Sequence, residues 1–123
     1  MAKNILIIDD DGLVTKSLCS LLGKAGYSTN ASENGFDAIE KIKDTHIDLI
    51  IADIRMPEIN GVQAIKRIKE LLKSKNKPDI PVIFITGYTD SKVNLEAKEL
   101  GEVIFKPFDY QEFLKCITNY TGV

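Results

Sequence analysis

Six polar residues with chemistry to offer stand at or just beyond the ends of short apolar runs. "ILII" leads into Asp9, Asp10 and Asp11, and "IDLIIA" leads into Asp53. "VIFI" leads into Thr86 and then Gly87, and "VIF" leads into Lys106 and then Pro107. Carboxylates crowded together repel, and some keep their protons unless a cation sits among them. With oxygen donors and no Cys or His on offer there, the cation that suits is hard, Mg2+ or Mn2+. A lysine and a hydroxyl beside such a cation can contact the oxygens of a phosphoryl group in transfer. A carboxylate can itself be the nucleophile, and Asp53 is the central one. Helix capping accounts for one aspartate, Asp11, but three in a row exceed what a cap needs. Lys106 taken alone reads as a surface lysine before a turn; only the set gives it meaning.

For these residues to meet, the runs must be neighbouring strands that end on one edge. "NILIID", "IDLIIAD" and "VIFIT" are continuously apolar and rich in β-branched residues, as strands covered on both faces must be. "YSTNAS" reads as a more polar strand and "VIFK" as a short one. Between them lie helical periods. Val14, Leu18, Leu21, Leu22 and Ala25 mark the first helix, stopped at Gly26. Phe36, Ile39 and Ile42 share a face of the second, and Gly61, Ile65, Ile68 and Leu72 mark the third. Val93, Ala97 and Leu100 give the fourth a sparse apolar face; Phe113, Leu114 and Ile117 turn inward on the fifth. Strand and helix alternate five times, which predicts an α/β fold: a doubly wound five-stranded parallel sheet, order 2-1-3-4-5, flanked by five helices. Ligands of such sheets sit at the carboxyl ends of the strands, where the six residues fall.

The 123 residues are expected to form a single domain, residues 1–123, with a core that needs neither disulfide nor structural metal. Net charge is −2 and the basic residues are scattered, so no direct contact with nucleic acid is expected. No apolar run approaches a membrane span, and "MAKNILIIDDD" lacks the pattern of a signal peptide; a cytoplasmic location is expected. Cys19 and Cys116 read as reduced thiols on the packed sides of helices. His46 reads as a solvated residue at a helix end, and the lysines of "KSKNKPDIP" as a solvated loop.

The stretches "ILIIDDD", "DLIIADIRMPEING", "VIFITGYTD" and "VIFKPF", in this order and at these intervals, resemble the receiver domain of bacterial response regulators over essentially the whole chain. The resemblance implies a phosphoaspartate switch rather than a turnover enzyme. Asp53 would be phosphorylated from the phosphohistidine of a sensor histidine kinase or phosphotransfer protein, or from acetyl phosphate. Asp10, Asp53 and the backbone carbonyl of Arg55 would ligate Mg2+, with Asp9 assisting through water. Thr86, Gly87 and Lys106 would bind the phosphoryl group, and Pro107 would follow a cis peptide bond. The output would pass to an effector domain or protein, with a phosphorylation-dependent homodimer among the outcomes; Tyr88, Val103 and Phe108 are candidates for the switching or partner surface. The chain departs from the family in two ways. Val103 stands where an aromatic ring usually rotates inward, which implies that the fourth helix and fifth strand repack without one. "GEVIFKPF" is also about two residues shorter than its usual counterpart.

Four other readings remain open on sequence. The chain could be a receiver belonging to a larger transcription factor or hybrid kinase, or a docking module that works without phosphorylation. A phosphatase of the haloacid dehalogenase type would want a second acid where Arg55 stands. A flavin carrier would want a hydroxyl- and glycine-rich loop where the three aspartates stand.

Overall fold

The computed structural model describes residues 2–87 and 91–122. Strands β1 (Asn4–Ile8), β2 (Ser28–Ser32), β3 (Leu49–Asp53), β4 (Val82–Thr86) and β5 (Glu102–Phe105) alternate with helices α1 (Gly12–Lys24), α2 (Gly35–Asp44), α3 (Gly61–Ser74), α4 (Ser91–Leu100) and α5 (Tyr110–Thr121). All four strand pairings are parallel, in the order β2-β1-β3-β4-β5, as the alternating pattern predicts.

Successive side chains on a strand point to opposite faces, so continuously apolar strands feed two cores. One, under α2, α3 and α4, gathers Leu6, Ile8, Ile50, Ala52, Val82 and Phe84. The other, under α1 and α5, gathers Ile5, Ile7, Leu49, Ile51, Ile83 and Ile85. Edge strand β2 is polar and only half-buried, so it reads less clearly as a strand. Cys19 and Cys116 are free thiols packed against the second core, and His46 lies exposed.

Helix α2 differs from expectation in its facing. Its buried residues are Gly35, Ala38 and Ile42, while Phe36 is 40% exposed. The reason is close approach: a β-carbon on Gly35 would lie 2.6 Å from Ile59 Cδ1 and 2.9 Å from Ala64 Cβ. The helix is therefore rotated until its smallest residue meets the β3–α3 segment, and Phe36 shifts to the rim. There the Arg67 guanidinium lies over its ring, 5.4 Å from the centroid.

Candidate functional site

Parallel strands present all their carboxyl ends on one edge, and the register fixes what meets there. Ile8 pairs with Ala52, Asp53 with Ile85, and Thr86 with Phe105. The residue after each strand end is held in turn. The Asp9 amide donates to the Ser32 carbonyl at 3.0 Å, and the Lys106 amide donates to the Thr86 carbonyl at 2.8 Å.

One carboxylate oxygen from each of Asp9, Asp10 and Asp53 can be chosen so that all three lie within 4.8 Å of one another. Asp9 is buried, Asp53 half-buried and Asp10 exposed. Asp11 turns away: its carboxylate accepts from the Leu13 amide at 3.0 Å and caps α1, as expected. Its own amide donates to Asp9 Oδ1 at 2.9 Å, fixing the buried carboxylate. Lys106 Nζ stands 4.0 Å from Asp9 Oδ2.

The charges are uneasy. Burial raises the Asp53 carboxyl to about 6 from an ordinary 3.8; the nearby Asp9 charge adds to this, while Lys106 and the Ile54 amide oppose it. Burial also raises Asp9, against the pull of the Asp11 amide and of Lys106. Such a cluster of hard oxygen donors is an acidic pocket suited to a small divalent cation.

The floor under Asp53 is built by close backbone contact. The Gly61 amide donates to the Ile54 carbonyl at 2.8 Å, and a β-carbon on Gly61 would lie 2.1 Å from the Asp53 carbonyl oxygen. Only glycine lets α3 start this near the end of β3. Asn60 and Gln63 close a reciprocal capping box at that start: each side chain accepts from the other's backbone amide, at 2.8 and 2.9 Å.

Thr86 is fully buried at the end of β4. It lines a cavity of about 280 Å3 with Ile54, Met56, Asn60, Val93 and Asn94, and exposed Arg55 borders it too. Gly87 follows Thr86 as an exposed bend. The Lys106–Pro107 peptide is cis, as the resemblance implies. Phe108 packs on Phe113, ring centroids 4.8 Å apart. Val103 lies opposite Phe84 and packs on the core beneath α4. Tyr88 lies outside the described residues. The structure thus brings Asp9, Asp10, Asp53 and Lys106 together, with Thr86 on the adjoining strand end. Sequence reasoning missed Asn94, whose polar side chain is buried on α4. An amide one position beyond Val93, in a helix with so sparse an apolar face, was its only signal.

Residues 5–118 match the family described as the response regulator receiver domain. The chain belongs to that family. The receiver protein CpdR of Brucella abortus is 32% identical over 117 residues, which cover 94% of this chain and 93% of that one. The regulatory protein AtoC of Escherichia coli is 34% identical over 112 residues, 89% of this chain but only 23% of that protein. Among solved structures, response regulator protein TrrA of Thermotoga maritima, in complex with Mg(2+)-BeF, is 30% identical with a TM-score of 0.82. That match covers 96% of this chain and 98% of the other. The receiver thus spans nearly all of some curated relatives and about a quarter of others. Among the described residues, no helix is long and apolar enough to cross a membrane.

Proposed function

We propose that this receiver is a phosphoaspartate switch in which Asp53 takes the phosphoryl group. The observation that carries the reading is the gathering of carboxylate oxygens from Asp9, Asp10 and Asp53 within 4.8 Å of one another, with Lys106 Nζ 4.0 Å from Asp9. Three crowded oxygen donors fit Mg2+, with Asp10, Asp53 and the Arg55 carbonyl as ligands and Asp9 acting through water; Mn2+ is the expected substitute. When bound, the cation would neutralise the cluster and screen the charge on the incoming phosphoryl oxygens. The Asp53 carboxylate oxygen attacks phosphorus as the bond to the donor's leaving atom breaks, giving an acyl phosphate. Lys106 and the Thr86 hydroxyl, with the Gly87 amide, hold the transferred oxygens.

A phosphohistidine on a sensor kinase or phosphotransfer protein is the proposed donor, with acetyl phosphate as a small-molecule substitute. The output is proposed to pass by surface contact to an effector, either a separate protein or a domain of the same polypeptide. Relatives of both lengths support the two routes. We read residues 1–123 as one phosphoacceptor domain that modifies itself rather than turning over a substrate, acting in the cytoplasm.

The test is intact-protein mass after incubation with acetyl phosphate, with and without Mg2+, for wild type and Asp53→Asn. A single phosphoryl adduct that needs both Mg2+ and Asp53 is expected. Stoichiometric labelling of Asp53→Asn would overturn the assignment of the acceptor. Absence of an adduct in wild type, with phosphoramidate as well, would favour a docking module that works without phosphorylation.

A further inference from the structure

The cap at the start of α1 is wired differently from the others. A capping residue has an amide of its own that lies outside the helix ladder and must find an acceptor. At α3 that acceptor is local: the Asn60 amide donates to the side chain of Gln63, three residues on. The residues in the same position of α2 and α5 are Asp37 and Glu112, which also carry acceptors. In α1 the position falls to Val14, which has none. The Asp11 amide instead turns back and donates to Asp9 Oδ1 at 2.9 Å.

The rest of Asp11 is committed to the helix. Its carboxylate accepts from the Leu13 amide at 3.0 Å. Its carbonyl accepts from the Thr15 amide at 3.1 Å, and the Thr15 hydroxyl lies 3.1 Å from the same oxygen and 3.4 Å from the Asp9 carbonyl. These bonds hold the backbone of Asp11 extended, at φ −89° and ψ 106°, and so fix where its amide points. Asp9 is only 4% exposed, and a buried carboxylate takes its orientation from the partners around it. With Oδ1 on the Asp11 amide, Oδ2 is left on the side of Lys106, 4.0 Å away. Asp10 lies between two pinned amides, that of Asp9 on the Ser32 carbonyl and that of Asp11 on Asp9.

We propose that Asp11 is a positioning residue for the cation of the acidic pocket: by capping α1 it aims its amide at Asp9 and sets Asp9 and Asp10 for the cation. The inference rests on the Mg2+ reading of the site and gives the third aspartate a part in it without making it a ligand. Its carboxylate is spent on the helix, so the role belongs to the geometry of the cap and not to the charge.

The experiment measures the Mg2+ dissociation constant by NMR titration of backbone amides, in about 0.5 M KCl so that the exposed charge of Asp11 is screened. Wild type, Asp11→Asn, Asp11→Ala, Thr15→Val and Asn34→Ala are compared, each checked for cooperative thermal unfolding. Asn34→Ala removes the cap of α2 and serves as the control for a general loss of stability. Asp11→Ala should weaken Mg2+ binding about tenfold, as loss of a group that orients a metal ligand does. Asp11→Asn caps as well as aspartate and should stay within about twofold of wild type, and so should Asn34→Ala. Thr15→Val loosens the same turn and should shift the constant in the same direction as Asp11→Ala, which keeps the test open should the alanine variant fail to fold. Wild-type affinity in Asp11→Ala, or in Thr15→Val if it stands in, overturns the inference. Equal weakening in Asp11→Asn and Asp11→Ala assigns the effect to charge and overturns it too, as does equal weakening in Asn34→Ala. None of these touches the acceptor assignment, which intact mass after acetyl phosphate reads separately at saturating Mg2+. Absence of Mg2+ binding in wild type overturns the cation site and the inference together.

Discussion

Replacing Asp53 by Asn should stabilise the cation-free protein, and the gain should depend on pH. The folded carboxyl sits at about 6 against an ordinary 3.8, a gap of about two pH units worth about 1.4 kcal/mol each. The limit is therefore about 3 kcal/mol, which partial exposure and solvent screening reduce to about 1–2 kcal/mol. The folded state holds this proton more tightly than the unfolded chain, so folded molecules carry the excess proton between about pH 4 and 6. Stability of wild type consequently falls as pH rises through that window, and the penalty is complete above it. Asn keeps the shape and cannot ionise. Urea unfolding of both proteins in EDTA, from pH 4 to pH 8, reads the difference directly. The two should converge near pH 4 and separate by about 1–2 kcal/mol at pH 8, an offset of about 3–8 °C in Tm for a domain of this size. Excess Mg2+ should narrow the gap, because the cation offsets the same repulsion. A difference that is flat with pH, or a variant less stable at pH 8, would refute the claim that an ionised, crowded Asp53 strains the fold.

Two further predictions follow from the same edge of the sheet. Lys106→Met removes the cation that pulls the Asp53 and Asp9 carboxyls down, so NMR titration of the cation-free variant should place Asp53 above its wild-type value of about 6. Gly61→Ala puts a methyl group against the Asp53 carbonyl, where the backbone must give way; a loss of about 2–4 kcal/mol in urea unfolding is expected. That variant should also label more slowly with acetyl phosphate, because the acceptor strand end moves.

The fold was legible because parallel strands covered on both faces need unbroken apolar runs, and "ILII", "LIIA" and "VIFI" supply them between clear helical periods. The site was legible because polar residues placed just after such runs have only one edge on which to meet. Close approach was not legible. Hydropathy ranks Phe36 as a core residue and Gly35 as a gap, yet α2 turns its glycine to Ile59 and leaves the ring at the rim. Gly61 likewise reads as a helix start, and nothing in its sequence context tells how near it comes to the Asp53 carbonyl. Asn94 escaped for the opposite reason: an amide in a helix with so sparse an apolar face looks solvated until a cavity wall is seen behind it.

The contact between Gly61 and the end of β3 has a mechanical meaning. It holds one wall of the site closely, with α3 tied to the end of β3 by the hydrogen bond from the Gly61 amide to the Ile54 carbonyl and by an Asp53 carbonyl that leaves no room for a side chain. The opposite wall, α4, rests on Ala97 and the half-covered Val93 and Leu100, so it opens at lower cost. On the proposed switch, the molecule would work like a vice with one fixed jaw. A small displacement at the strand ends would then be taken up on the α4 side, and what reaches the surface would have a direction before any partner arrives.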